Sequence, residues 1–486
     1  MARTLATDEH PAIAPLRKIV GVKGILSHRD ELIVYECDGF SVAKGLPLAV
    51  IFPTDTQQVA ACVEILNGHD LQIIPRGSGT GLAGGAVAYG PGIIICTSRM
   101  NRIENIDMQN RFAVVQAGVR NLALSDALTG TGLHYSPDPS SQRASSIGGN
   151  ASTNAGGINT LKHGVTTNHI LGMEMVLADG TILNARCGGL YDGIGPDLPG
   201  LICGHEGTFG IVTRVWCRLV PKPSHRRTVY AVFDSTFNAC KTVSDVIADG
   251  ILPTSMEIMD ESMIRIVEDA FHFGFPTDAR AMLLIEIDGI DQVLDEQLEQ
   301  IIHIAQDNGA QNVEGCSDEA RRDQLWSARK KAFGAVGRVS HSYCTQDACV
   351  PRSMLPDVMV KVGEIGRKYD IQITNVFHAG DGNIHPILLF DEDDPEQVQR
   401  TLRASQEILE HCIDIGGTPT GEHGVGVEKL HLMDRMFTPD TIDTFKKVKF
   451  CFDPDGRIND AKKIPSDKTF IELVKPIAAN VPGGAL

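Results

Sequence analysis

Pro75-Arg76-Gly77-Ser78-Gly79-Thr80-Gly81-Leu82-Ala83-Gly84-Gly85 packs five glycines, two hydroxyls and one arginine between two apolar runs, and its reading decides the fold. Glycine loops that hold phosphates bring the backbone close to the ligand and aim N–H groups at its oxygens. A Walker A loop would need Lys followed by Ser or Thr, which is absent. A dinucleotide fingerprint of the Rossmann type would open a helix. Here the next apolar run, Ile93-Ile94-Ile95-Cys96, reads as a strand. Before the loop, Asp55 to Gly68 predicts a short helix with Val59, Cys62, Val63 and Leu66 on one face and Gly68 at C′. Leu71 to Ile74 then predicts a strand. The loop is therefore a phosphate cradle between strands, or else a tight surface turn.

The rest of the composition narrows the function classes. A chain of 486 residues exceeds what one core organises, so two or three domains are expected. Its hydrophobic content of 42% and charged content of 22% are those of a globular protein, and no apolar run is long enough to span a bilayer. Met1 to Ala6 holds one basic residue with no apolar core behind it, so no signal peptide is expected. The net charge of -17 disfavours nucleic acid and anionic membranes, and requires that an anionic ligand be met by local cations and backbone N–H groups. The 12 cysteines include no C-x-x-C pair, which suits neither a zinc ribbon nor an iron–sulfur cluster, and a cytoplasmic, reducing compartment is expected.

Two further segments resemble the first in composition. Pro137-Asp138-Pro139-Ser140-Ser141 leads into Ser146-Ile147-Gly148-Gly149-Asn150 and Asn154-Ala155-Gly156-Gly157, a run of small residues and amides suited to an extended ligand. Gly204-His205-Glu206-Gly207-Thr208-Phe209-Gly210 runs straight into Ile211-Val212-Thr213. Glu206 there is a partner for a ribose hydroxyl, or a solvated turn carboxylate. Asp179-Gly180 between apolar runs signals a hairpin, and Ile211 to Leu219 alternates as a half-exposed strand. Past Pro221-Lys222-Pro223 the rhythm changes to strands and amphipathic helices. Ala281 to Ile287 reads as a strand, and Asp291 to Asp307 and Glu396 to Ile415 read as helices, the latter ended by Gly416-Gly417. The tail after Ile464 is expected to be peripheral.

Together the three glycine-bearing segments resemble the vanillyl-alcohol-oxidase (PCMH-type) FAD-binding domain, over almost the whole chain. The similarity is greatest to the branch of bacterial glycolate oxidase catalytic subunits and D-lactate and D-2-hydroxyglutarate dehydrogenases. The resemblance implies an α+β protein: a two-subdomain FAD-binding domain over 1–222 (core about 46–222), a ferredoxin-like substrate or cap domain over 223–417, and a C-terminal segment, 418–486, that closes on the flavin. It implies FAD contacts at Arg76, Gly77, Ser78, Gly79, Thr80, Gly81 and Leu82, and at Pro137, Ser141, Gly148, Gly149, Asn154, Glu206 and Ile211. Members with covalent flavin carry histidine in the first loop. Thr80 stands there in this chain, which implies non-covalent FAD.

Asn375-Val376-Phe377-His378-Ala379-Gly380-Asp381-Gly382-Asn383-Ile384-His385-Pro386 sets two histidines around a glycine turn, and Gly421-Glu422-His423-Gly424-Val425-Gly426 adds a carboxylate and a third. Two histidines and a carboxylate form a recurring catalytic metal set, although this spacing also fits ordinary turn histidines. The resemblance implies that His378, His385 and Glu422 hold a divalent metal (Zn, Mn or Fe), and that His423 is the general base while hydride leaves for the flavin. It also points to Arg329, in Leu325-Trp326-Ser327-Ala328-Arg329-Lys330-Lys331, as the clamp for the substrate carboxylate. The bland alternative is a solvated helix face. Asn459, in Asp453-Pro454-Asp455-Gly456-Arg457-Ile458-Asn459, is implied to approach the flavin, or else belongs to a helix-ending turn.

Phe333, Thr345 and Ile387 stand where the 2-hydroxyglutarate enzymes carry polar and cationic groups, which favours glycolate or D-lactate. Electrons would pass to an iron–sulfur partner subunit or another acceptor, with the chain cytoplasmic or peripheral at the membrane through that partner. Three other readings remain: a D-2-hydroxyglutarate dehydrogenase, a non-redox alkyl-dihydroxyacetonephosphate synthase on the same flavin domain, and a non-catalytic flavin-binding subunit.

Overall fold

The computed structural model describes residues 10–186 and 195–465. The N-terminal residues read for a leader and the tail beyond 465 lie outside the described residues. Among these residues two compact units emerge: 10–155, 165–186, 195–221 and 422–465 form the first, and 156–164 with 222–421 form the second.

Among the described residues the first unit contains two larger sheets and a two-stranded one, Leu133–His134 with Val220–Pro221. Ala49–Ile51, Gly92–Cys96 and Gln72–Arg76 run parallel, with Ile25–Leu26 antiparallel at the edge. Alternation along these strands buries both faces. Ala49, Ile51, Ile73, Ile93 and Ile95 pack with Val59, Cys62, Val63 and Leu66 of helix Thr56–Asn67, while Val50, Ile74, Ile94 and Cys96 point the other way. That helix is N-capped by Asp55, whose carboxylate accepts from Gln58 N. Its far end differs from the expected left-handed glycine. Gly68 has φ -78°, and the turn closes through Gly68 N–H and His69 N–H to Ile65 and Leu66 carbonyls.

The second sheet is antiparallel, in the order Ile103–Asp107, Phe112–Gln116, Ile211–Arg218, Ile170–Val176, Ile182–Arg186. Its last pair is joined at Asp179-Gly180, where Gly180 has φ +91°. The segment from Glu422 belongs to this unit. Ile458 bridges in parallel to Ile73, and Phe445, Val448 and Phe452 pack on the second sheet's core.

The second unit is built on a nine-stranded sheet among the described residues. Its central order is Ala310–Cys316, His225–Phe233, Ala281–Gly289, Ser255–Asp260, Gln372–His378. Tyr230 and Val232 face helices Glu261–Phe271 and Glu319–Val336, whose Met263, Val267, Leu325 and Ala332 complete one core. Helices Asp291–Asp307 and Pro395–Asp414 form at the expected places, the latter closed by Gly416 at φ +87°. Residues 156–164 cluster with this unit, with Ile158 on its core.

Candidate active site

Strand Gln72–Arg76 delivers the first glycine loop. The Arg76 guanidinium donates to Cys37 O at 2.9 Å and lies 5.4 Å from the Tyr35 ring, so the arginine braces the loop from behind. Gly79 has φ +71°, and a Cβ there would sit 2.2 Å from Arg76 Nη2. A Cβ on Gly77 would lie 2.5 Å from Ser146 Oγ, so glycine is required for the loop to meet the second segment. Among the described residues, the backbone N–H groups from Ser78 to Leu82 donate to no protein acceptor. A row of unsatisfied N–H groups on a half-buried loop fits a pyrophosphate.

The second and third segments contribute shape more than donors. Gly148 N–H is already given to Ala117 O and Gly149 N–H to Ser146 Oγ at the start of helix Ile147–Thr153. Pro137 O accepts from Asn121, Ser141 begins the following turn, and Asn154, at φ +55°, accepts from Thr167 N. Ser145 Oγ and Asn150 Nδ2 are buried without a partner among the described residues, polar atoms that a bound ligand would satisfy. Ile211 is 1% exposed and belongs to the core behind the loop.

Glu206 is no solvated turn carboxylate. It is buried, its oxygens accept from Val425 N at 2.9 Å and Gly426 N at 2.7 Å, and Lys463 pairs with it. The carboxylate anchors the segment that carries His423. Asn459 is likewise no simple turn residue. At φ +48° its amide donates to Gly85 O and Glu206 O, and its Oδ1 accepts from Lys462. Lys462, unnoticed in the sequence, is 2% exposed and also donates to the Gly85 and Val87 carbonyls. Burial pushes its ammonium down to about 7. The closing motif thus fastens the exit of the glycine loop.

His205, beside Glu206, is fully buried, and burial pushes its imidazole down to about 3. Its Nδ1 accepts from Phe209 N, as a neutral ring must. Below about pH 6.5 the unfolded chain takes up a proton that the folded one refuses. Stability should therefore fall by up to about 1.4 kcal/mol per pH unit between about 6.5 and 3 on this account, and stay flat above that window. Thermal melts of wild type and His205→Phe across that range check it; equal slopes would refute it.

In the second unit, strand Gln372–His378 turns through Ala379–Asp381 into Asn383–Ile384, with Gly382 at φ +72°. The turn sets the His378 and His385 rings 5.1 Å apart and nearly perpendicular. Each is held through Nδ1: His378 by Glu257 Oε1 at 2.6 Å, His385 by Gln346 O at 3.2 Å. Imidazoles held at Nδ1 present Nε2 as the ligand atom, so the pair fits a divalent cation. Buried Asp347 accepts from Gly421 N and Thr420 Oγ1, which fixes the backbone just before Glu422 and His423. Those two residues open the returning segment of the first unit, His423 Nε2 lying 3.9 Å from Glu422 Oε1.

Arg329 is 5% exposed, while Lys330 and Lys331 face outward, so the helix face is not uniformly solvated. Its Nε and Nη2 both reach Glu257 Oε2 at 2.7 Å. Glu257 was missed in the sequence. Its one signal was an acidic residue flanked by Met256, Ile258 and Met259 in an apolar strand. Phe333 packs edge-on to Tyr343, Ile387 is fully buried, and Thr345 Oγ1 is buried without a partner among the described residues.

Residues 47–186 match the family described as FAD binding domain, and residues 222–462 the family described as FAD linked oxidases, C-terminal domain. The chain is 42% identical over 459 residues to the glycolate oxidase subunit GlcD of Escherichia coli (strain K12), covering 94% of this chain and 92% of that one. It is 31% identical over 416 residues to the D-lactate dehydrogenase of Archaeoglobus fulgidus, covering 85% and 91%. The structure of p-cresol methylhydroxylase with substrate bound aligns with a TM-score of 0.77 at 19% identity, covering 92% of this chain and 96% of that one, which shows a shared fold. Among the described residues, no helix is long and apolar enough to cross a membrane. With an FAD binding domain, the matching C-terminal domain and relatives of this identity along nearly its full length, the chain belongs to the FAD-linked oxidase family.

Proposed function

We propose that the chain oxidises a small 2-hydroxy acid, glycolate or D-lactate, to the 2-oxo acid and passes the electrons to a separate acceptor. The observation that carries this reading is the buried set His378, His385, Glu257 and Arg329, supported by the chain's likeness to a glycolate oxidase subunit and a D-lactate dehydrogenase. FAD, when bound, supplies the acceptor for the hydride leaving Cα, and a divalent metal, when bound, polarises the substrate hydroxyl. The glycine loop from Arg76 to Leu82 holds the pyrophosphate by its N–H groups. His378, His385 and Glu422 are the metal ligands. His423 takes the hydroxyl proton at an imidazole nitrogen.

Arg329 binds the substrate carboxylate through the guanidinium edge that includes Nη1, since Nε and Nη2 already face Glu257. A distal carboxylate would meet Phe333, Ile387 and the Thr345 hydroxyl, none of them a cation, which favours a short acid over 2-hydroxyglutarate. The acceptor is an iron–sulfur partner subunit or another carrier, because the cysteines are scattered. Steady reduction of an artificial dye tests the substrate. Glycolate or D-lactate should support a kcat/KM about tenfold or more above D-2-hydroxyglutarate. Equal or faster turnover of D-2-hydroxyglutarate would overturn the assignment.

A further inference from the structure

Glu257 and Glu286 are buried carboxylates on central strands of the second unit's sheet, and they are not alike. Glu286 is 5% exposed, and its carboxylate meets Arg322, Arg226 and the Thr228 hydroxyl. Glu257 is 2% exposed on strand Ser255–Asp260, paired in register with Leu284 on one side and His378 on the other. A carboxylate there is costly unless both its oxygens are compensated. One oxygen takes Nε and Nη2 of Arg329, each at 2.7 Å, and the other takes His378 Nδ1 at 2.6 Å. All three residues are 5% exposed or less, so none can turn into solvent without opening the core.

We infer that Glu257 is a positioning residue for the reaction: its carboxylate orients the His378 imidazole toward the metal and the Arg329 guanidinium toward the substrate. The inference rests on the metal reading above. A carboxylate on Nδ1 fixes the ring's rotation and its tautomer, leaves Nε2 as the ligand atom, and makes the imidazole a better donor. On the other oxygen, Arg329 spends one edge of its fork, so the remaining edge has a single permitted direction. One side chain thereby sets the angle between a metal ligand and a carboxylate clamp. Glu286 offers an internal control, a buried carboxylate with arginines and no histidine.

The test uses the purified FAD-loaded protein, with Zn2+ or Mn2+ alone as probe against a chromophoric chelator. Glu257→Gln should weaken metal binding by about 10–100-fold and raise the KM for the hydroxy acid, with FAD content retained. Glu286→Gln should lower Tm without changing metal affinity. If His378→Ala loses the metal while Glu257→Gln binds it as wild type does, this inference falls and the metal reading stands. If wild type binds no metal, or His378→Ala binds it unchanged, the metal reading falls and takes the inference with it. Should Glu257→Gln fail to fold, Glu257→Gln/Arg329→Gln removes the unpaired cation too and is judged by the same affinities.

Discussion

His423→Ala should lower turnover of the hydroxy acid by about 10²–10⁴-fold, the usual contribution of a positioned general base, while FAD content and Tm stay at wild-type values. The size follows from the chemistry. Removing hydride from a carbon that still bears a protonated hydroxyl leaves a protonated carbonyl, so the proton must have somewhere to go as the hydride departs. His423 follows Glu422 directly, and the backbone on either side of the pair is fixed, by Asp347 at Gly421 and by Glu206 at Val425 and Gly426. A non-catalytic flavin-binding subunit predicts the opposite, undiminished turnover of any complex assembled with the variant. Dye-coupled kinetics alongside flavin absorbance separate the two. A loss below about tenfold with FAD retained would remove His423 from the mechanism.

Glu206→Gln should cost about 3 kcal/mol or more of stability and a large share of activity together. An amide is a poor substitute here because both carboxylate oxygens accept N–H groups, and Lys463 adds a cation. Gln would turn an NH₂ toward one of those donors. The segment cannot shift to relieve this. A Cβ on Gly424 would lie 2.8 Å from Glu206 Cδ, and one on Gly426 would lie 1.9 Å from Ala83 O. The turn after His423 is thus wedged between Glu206 and the end of the glycine loop. Thermal unfolding monitored by flavin release checks this; an unchanged Tm would show that the wedge carries no weight.

Local signals made much of the architecture legible. The strand after Pro75–Gly85 separated this loop from Rossmann and Walker types, and Asp179-Gly180 marked a hairpin because few residues but glycine accept its φ of +91°. Helix Asp291–Asp307 followed from its period. What stayed hidden was the pairing of charges across long stretches of chain. Glu257 reaches Arg329 across 72 residues and His378 across 121, and Lys462 reaches Gly85 across 377. No window of sequence shows such partners. The same holds for Glu206, whose acceptor role is set by a segment 219 residues away. At Arg329 three consecutive basic residues gave no hint of which one turns inward; that depends on where Glu257 lies.

In the proposed reaction this chain removes a hydride from a small 2-hydroxy acid and places it on its FAD. Anaerobic mixing of the purified flavoprotein with glycolate, D-lactate, L-lactate and D-2-hydroxyglutarate, followed by flavin absorbance, tests it most directly. Prompt and complete bleaching with glycolate or D-lactate is the predicted result, and bleaching with none of the four acids would contradict it.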